Sequence, residues 1–110
     1  MYDRNIYQKF ELILGQKEVL KLHVNSRDGN NSYQKYIKVF DYCYKSLSDE
    51  HREILNKTYI NKDYKFWWVD RYCKSSYYRK RIIAITSFVH LFEFIYENFV
   101  HFHIHIDNAR

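Results

Sequence analysis

Apolar residues recur every three or four positions along almost the whole chain, which is the spacing of amphipathic α-helices rather than of strands. Residues that break helices are scarce, since the chain has two glycines and no proline. We therefore expect an all-α protein of about five helices, the last of them long. The predicted helices cover residues 3–23, 33–45, 49–60, 64–72 and 75 to about 99 or beyond.

Polar residues mark the ends of these helices. The stretch "VNSRDGNNS" at 24–32 combines Asn, Asp, Gly and Ser and is predicted to be a loop. Ser48 is expected to cap the third helix, with Asp49 and Glu50 in the first turn, where carboxylates suit the positive end of the helix dipole. Asp63 is expected to cap the fourth helix in the same way.

The length of the chain is enough for one domain with one core. It has 110 residues, of which 46% are hydrophobic. Within this single domain we distinguish an N-terminal helical part, a central part and a C-terminal helix extension. They span residues 1–46, 47–88 and 89–110.

The last predicted helix carries a broad apolar stripe. Its apolar positions follow spacings of three and four over more than two heptads. They are Ile85, Phe88, Phe92, Ile95, Phe99 and Phe102. Such a stripe must be covered, either by the first two helices of the same chain or by a second protomer in a homodimer.

A basic segment opens this helix. The formal charge of +5 and a pI near 9.1 favour an anionic partner, and "CKSSYYRKR" at 73–81 concentrates cations. If Ser75 is the N-cap, Tyr78, Ile82, Ile85 and Val89 face inward, and Lys80 points away from the core, flanked by Ser76, Tyr77 and Arg79, with Arg81 nearer the boundary.

Two short helices, a turn and a third helix that begins with cations are typical of a helix-turn-helix, whose last helix enters the major groove of DNA. We expect Arg79, Lys80 and Arg81 to contact phosphates. Ser76, Tyr77 and Lys80 are the best placed to reach bases. Arg71 and Lys74 are expected to hold the sugar–phosphate backbone of the DNA. The residues predicted to bind DNA are thus Arg71, Lys74, Ser75, Ser76, Tyr77, Arg79, Lys80 and Arg81.

Residues 47–88 resemble the helix-turn-helix of ArpU-type phage regulators, a group of late-gene transcription factors, and more distantly region 4 of sigma-70 factors. The resemblance is carried by five residues in and next to the first helix of this segment, which is the third predicted helix of the chain. They are Leu47, Glu50, Ile54, Leu55 and Tyr59. Its most specific part is "SSYYRKR" at 75–81, where the family commonly has serine, a small hydroxyl residue, two tyrosines and a basic run. The resemblance implies a transcription regulator that binds duplex DNA and contacts RNA polymerase, with a recognition helix that begins near Ser75.

Other classes of function have weaker signals. The sequence has no Gly-rich phosphate loop and no nucleophile motif, so we expect neither an enzyme nor a cofactor. His101, His103 and His105 are more often surface groups than metal ligands, and we expect no metal. Cys43 and Cys73 lack metal-site spacing and are predicted to be reduced core thiols. The N-terminus and the interrupted apolar run at 82–102 favour a cytoplasmic protein without a membrane helix.

Two alternatives to duplex DNA binding remain open at this point. A helical interaction module would keep the helix-turn-helix shape but bind a protein through the aromatic final helix and Trp67 or Trp68, one of which is expected to be exposed unless both pack between helices. A single-stranded RNA binder would need Tyr77 and another aromatic residue side by side in a basic groove.

Overall fold

A computed structural model describes residues 5–24 and 31–108 of the chain, and the side chains of residues 5–22 and 34–97. These residues form four α-helices and no strand, which confirms the all-α prediction. A five-residue π-helical stretch, Asn56–Ile60, continues the third helix. The helices are α1 Ile6–Val24, α2 Asn31–Lys45, α3 Asp49–Leu55 and α4 Lys74–Asn108.

The main core lies between α1, α2 and α4. The buried side of α4 presents Phe88, whose ring centroid lies 5.3 Å from that of Phe10 in α1 and 4.9 Å from that of Phe40 in α2. Both pairs meet edge to face, a favoured arrangement of aromatic rings. The apolar stripe of the last helix is therefore covered within the chain as far as Ile95. Its continuation at Phe99 and Phe102 lies outside the described side chains.

A buried tyrosine ties α2 to α1. The hydroxyl of Tyr36 donates a hydrogen bond to the backbone carbonyl of Ile13 at 3.0 Å. Burial raises the pKa of Tyr36 to about 12, with a smaller contribution from Tyr96. The side chain thus stays a neutral donor at any physiological pH.

The start of α3 is capped as predicted. The side chain of Ser48 accepts a hydrogen bond from the backbone N–H of His51 at 3.2 Å, and Asp49 and Glu50 occupy the first turn. The cap satisfies one of the backbone donors that a helix N-terminus leaves unpaired. It fixes the acidic first turn of α3, which faces the basic part of α4.

Residues 61–73 do not form the predicted fourth helix. Their backbone makes three successive turns, in which Trp67, Val69 and Arg71 each donate to the carbonyl three residues earlier. Bulky aromatic and β-branched residues lose side-chain freedom in a helix, and "FWWV" places four of them in a row at 66–69. The prediction of a helix over 64–72 is therefore wrong, although Asp63 does accept a hydrogen bond from the backbone N–H of Tyr64 at 2.6 Å.

A small second cluster anchors this segment, which we call the 61–73 segment. Its buried members are Trp68, Ile54 of α3 and Tyr77 of α4, and Trp67 and Tyr72 pack against them. The rings of Trp68 and Tyr77 are stacked, with centroids 4.4 Å apart and planes 5° apart. Trp68 is buried and Trp67 half-buried, so both tryptophans pack here rather than between the first two helices.

The two cysteines have different environments. Cys43 is buried in the main core, as predicted, and burial raises the pKa of its thiol to about 11. Cys73 is exposed at the start of α4, so its prediction as a core thiol is wrong. The end of the 61–73 segment turns this residue outward, where no helix buries it.

The long helix α4 extends well beyond the core. His101, His103 and His105 lie in its last turns, outside the described side chains. Among the side chains that the structure describes, no group of three His, Cys, Asp or Glu could hold a metal ion. Nor does any helix in the described part of the chain have the length and apolar character needed to cross a bilayer.

Candidate nucleic-acid interface

Positive charge is concentrated in one quarter of the chain. Residues 56–81 contain eight Lys or Arg and two Asp, a net charge of +6, whereas the whole chain has +5. All other residues together therefore carry −1. The basic segment predicted at 71–81 is thus part of a wider one, which also includes Lys57, Lys62 and Lys65.

Part of this charge is neutralised by α3. The Lys80 ammonium contacts a carboxylate oxygen of Glu50 at 2.8 Å, and Arg71 pairs with Glu53. Lys57 lies 3.7 Å from the other oxygen of Glu53. Lys80, which was predicted to point away from the core, turns its side chain toward the first turn of α3. These three cations meet a phosphate only in competition with a carboxylate of the same chain.

The Glu50 carboxylate is held ionised by this pairing. A hydrogen bond from Lys80 lowers the pKa of Glu50 below its ordinary 4.5, against a smaller opposing effect of desolvation, and the charge of Lys80 lowers it further. A lowered folded-state pKa contributes stability above the unfolded pKa, and that contribution is lost as the pH falls through the folded value.

We therefore expect Glu50→Gln to reduce the free energy of unfolding at pH 7 by no more than about 1 kcal/mol, because the pair is partly exposed. The difference in free energy of unfolding between wild type and variant should shrink as the pH falls from about 5 to about 2. Urea unfolding at several pH values measures it. A difference that stays constant over this range would show that the ion pair does not stabilise the fold.

Tyr77 is not on the exposed face where it was predicted. Its side chain is only 2% exposed, and its hydroxyl lies 2.7 Å from Oγ1 of Thr58. Tyr77 stacks on Trp68 and faces inward, whereas Tyr78 is 40% exposed. The assignment of the two tyrosines to the two faces was therefore reversed, and Tyr77 cannot contact a base without unfolding of the cluster.

Arg81 lies at the boundary of the protein, as predicted. Its guanidinium stacks 4.5 Å from the ring centroid of Tyr78 and 5.4 Å from that of Tyr7 in α1. Its Nε atom is buried and makes no hydrogen bond. The guanidinium therefore contacts aromatic rings of both α1 and α4.

A set of exposed cations remains outside the pairing with α3. Lys62, Lys74 and Arg79 are exposed and form no ion pair with any described residue. Ser75 is also exposed, and Ser76 is half-buried. We use the name cationic face for the exposed cations Lys62, Lys65, Lys74 and Arg79. Lys74 and Arg79 lie five positions apart on α4 and project about 140° apart around its axis.

A cleft of about 300 Å³ lies beside the cationic face. The 61–73 segment, the π-helical stretch and the start of α4 all contribute to its lining. Tyr64 and Phe66, which are 70% and 48% exposed, meet edge to face at 5.8 Å. On α4, Lys74, Tyr78 and Arg81 follow spacings of four and three and therefore lie on one side of the helix. The cations Lys74 and Arg81 thus extend the positive charge of the cleft along that side. We call this site the aromatic cleft. Its lining residues are Lys57, Thr58, Lys62, Asp63, Tyr64, Lys65, Phe66, Trp67, Trp68, Tyr77, Tyr78 and Arg81.

Cys73 is an exposed thiol next to the first turn of α4, where its reactivity can be measured. Hydrogen bonds from the backbone N–H of Ser76 and from the Ser75 side chain lower the pKa of its thiol. At pH 7 we expect iodoacetamide to attach one label to each folded chain, at Cys73. Buried Cys43 should react only when the chain unfolds. Peptide mapping by mass spectrometry distinguishes the two sites. Equal labelling rates at both cysteines would contradict the burial of Cys43.

Comparison with known proteins adds no relative: no protein-family model, curated protein or solved structure matches the chain. The resemblance of residues 47–88 to ArpU-type regulators therefore stays a prediction. Of the eight residues predicted to bind DNA, the structure leaves Lys74, Ser75 and Arg79 exposed without an ion partner among the described residues. It pairs Arg71 and Lys80 with α3, half-buries Ser76 and Arg81, and buries Tyr77.

Proposed function

We propose that the chain is a DNA-binding protein that contacts the phosphate backbone through its cationic face. The observation that carries the proposal is the net charge of +6 within residues 56–81, in a chain whose other residues sum to −1. A segment of this charge attracts a polyanion from a distance and holds it by releasing counterions.

The position of these cations supports the proposal further. Lys74 and Arg79 lie in the first two turns of α4, and α3 packs against the same end of that helix. In a helix-turn-helix the corresponding end of the recognition helix meets DNA. Here the 61–73 segment connects α3 and α4 in place of the second helix of such a motif, and it adds the exposed cations Lys62 and Lys65.

We extend the proposal to transcription regulation, with RNA polymerase as a second partner, on the basis of the resemblance of residues 47–88 to ArpU-type regulators and sigma-70 region 4. Of the side chains with a predicted DNA contact, α4 still presents exposed Arg79, predicted to contact phosphates, and exposed Lys74, predicted to hold the DNA backbone. Pull-down of purified RNA polymerase by the tagged chain tests this extension separately from DNA binding. Absence of any complex would remove the polymerase from the proposal.

DNA binding is tested by fluorescence anisotropy of a labelled random duplex at several salt concentrations. We expect affinity to fall steeply with salt, and the triple variant Lys62→Ala/Lys74→Ala/Arg79→Ala to bind more weakly. Each cation that no longer neutralises a phosphate should reduce the slope of log K against log salt by about 0.9, so the triple variant should reduce it by about 2.7.

A second triple variant controls for net charge. Lys21→Ala/Lys38→Ala/Lys45→Ala removes three exposed cations from α1 and α2, and it changes the charge of the chain by the same amount. It should keep most of the wild-type slope. If both triple variants reduce the slope equally, the attraction is due to overall charge and the assignment of the cationic face is wrong.

A second candidate function is a protein-interaction module. It is favoured by an exposed apolar stripe on α1, where Leu12, Val19 and Leu22 are 73%, 52% and 74% exposed. These positions lie on one side of the helix, and exposed apolar surface of this kind often marks a protein contact. Sedimentation velocity of wild type and Leu12→Glu distinguishes the candidates, because a self-associating stripe gives a larger species that is absent in the variant.

A further inference from the structure

The aromatic cleft has the chemistry of a site for an aromatic anion. Its exposed rings, Tyr64, Phe66 and Tyr78, offer faces on which a planar group can stack. Cations surround them, since Lys57, Lys62, Lys65 and Arg81 all contribute to the lining. The single carboxylate among the lining residues, Asp63, accepts a hydrogen bond from the backbone N–H of Tyr64. A neutral apolar ligand would form no electrostatic interaction with these cations.

The polar groups of Trp67, Thr58 and Tyr77, which line the base of the cleft, are hydrogen-bonded to one another. The indole N–H of Trp67 points to Oγ1 of Thr58 at 3.4 Å, and the same oxygen lies 2.7 Å from the Tyr77 hydroxyl. The stack of Trp68 on Tyr77 holds this base in place. A ligand therefore meets a preformed floor, and the order needed for binding is largely present beforehand.

The dimensions fit one small planar group with its charge. A volume of about 300 Å³ lies at the lower end of the range for ligand pockets, about 300–1,000 Å³. The Arg81 guanidinium, 4.5 Å from the ring centroid of Tyr78, adds a positive charge to the lining. A nucleobase stacked on the exposed rings, with its phosphate near the lysines, uses both kinds of group.

A base in fully paired DNA cannot use the rings. Its two faces are covered by neighbouring bases, so duplex DNA reaches the lysines of this surface but not the exposed faces of Tyr64 and Phe66. An unpaired nucleotide has free faces, and stacking of bases on aromatic side chains is largely independent of sequence. The cleft therefore discriminates between paired and unpaired nucleotides.

We infer that the aromatic cleft binds an unpaired nucleotide of DNA, stacked on Tyr64 or Phe66 with its phosphate on the surrounding lysines. The inference rests on the proposed function, because it assigns to the same surface a preference for single-stranded or locally opened DNA. Tyr77, which was predicted to contact bases, belongs to the floor of the site, and Tyr64 and Phe66 take the contact.

The test compares three probes of about twelve nucleotides, long enough to fill a site of this size, with the wild-type chain: oligothymidylate, an abasic oligomer with the same phosphates, and a duplex. We expect oligothymidylate to bind about tenfold more tightly than the abasic oligomer, as stacking of a single base would give. It should also quench tryptophan fluorescence through Trp67, which the abasic oligomer should not do.

The variant Tyr64→Leu/Phe66→Leu removes two rings without changing charge. Because both side chains are largely exposed, the fold should be retained, and circular dichroism checks this. Oligothymidylate should then bind the variant only as tightly as the abasic oligomer does. Tyr42→Leu, which removes an exposed tyrosine of α2, is the matched control and should keep the preference for oligothymidylate.

The outcomes separate the two proposals. If wild type binds oligothymidylate and the abasic oligomer equally, the inference about the cleft is wrong, while salt-dependent binding of the duplex still supports the proposed function. If wild type binds none of the three probes at low salt, the proposed function fails and the inference fails with it.

Discussion

Replacing Trp68 with alanine should strongly weaken nucleic-acid binding while leaving the core of α1, α2 and α4 folded. Trp68 is one of three buried residues in the second cluster, and its ring stacks on Tyr77 at 4.4 Å. Removal of a buried tryptophan costs about 3–5 kcal/mol. The backbone of the 61–73 segment forms turns but no helix, so this destabilisation should open the segment and disperse its cations.

Hydrogen exchange and binding together test this expectation. Amides of the 61–73 segment should exchange much faster in Trp68→Ala, and those near Phe10 and Phe40 in the main core should exchange as in wild type. Trp68→Phe, which keeps a stacked ring, should retain most of the binding. Wild-type affinity in Trp68→Ala would mean that the segment is not held by this cluster or does not contact the nucleic acid.

The greatest reduction in global stability is expected for Phe88→Ala. Phe88 is fully buried and its ring meets those of Phe10, Phe40 and Phe92, so it joins α1, α2 and α4. Its truncation should cost about 3–5 kcal/mol, because apolar burial is removed and a cavity is left behind. At roughly 4 °C or more per kcal/mol for a domain of this size, Tm should fall by about 12 °C or more.

A phenylalanine on the same helix provides the control. Phe94 is 68% exposed, and Phe94→Ala should lower the free energy of unfolding by less than about 1 kcal/mol. Thermal unfolding followed by circular dichroism measures both variants. Similar destabilisation by the two substitutions would contradict the placement of Phe88 in an intramolecular core and favour coverage of α4 by a second protomer.

Much of the fold could be predicted from spacing alone. The intervals of three and four on α4 indicated a buried side that includes Ile85, Phe88 and Phe92, and all three are buried. Ser48 could be recognised as a cap because a hydroxyl before two carboxylates satisfies the donors of a helix start. These features depend on local geometry, which the sequence specifies directly.

The 61–73 segment could not be predicted in the same way. The run of apolar residues at 66–69 is compatible with a helix by composition. Its conformation depends, however, on the packing of Trp68 against a partner from another part of the chain. That partner, Tyr77, lies further along the chain in α4, so the contact cannot be recognised from residues 66–69 alone. The same contact buries Tyr77, which had been predicted to be exposed.

The ion pairs with α3 were missed for a related reason. Lys80 and Glu50 are 30 positions apart, and only the packing of α3 on α4 brings them together. By contrast, the charge of 56–81 was readable in the sequence by counting Lys and Arg over a wider window. Such a count would have pointed to Lys62 and Lys65, which together with Lys74 and Arg79 form the cationic face.

The most direct test of nucleic-acid binding through the cationic face is an amide chemical-shift titration of the labelled chain with a short duplex at low salt. Shifts should be confined to residues 61–81 and be largest near Lys74 and Arg79. The amides of α1 and α2 that surround Phe10 and Phe40 should remain unchanged. Shifts on the α1 and α2 surface with 61–81 unaffected, or no shifts at all, would contradict the proposal.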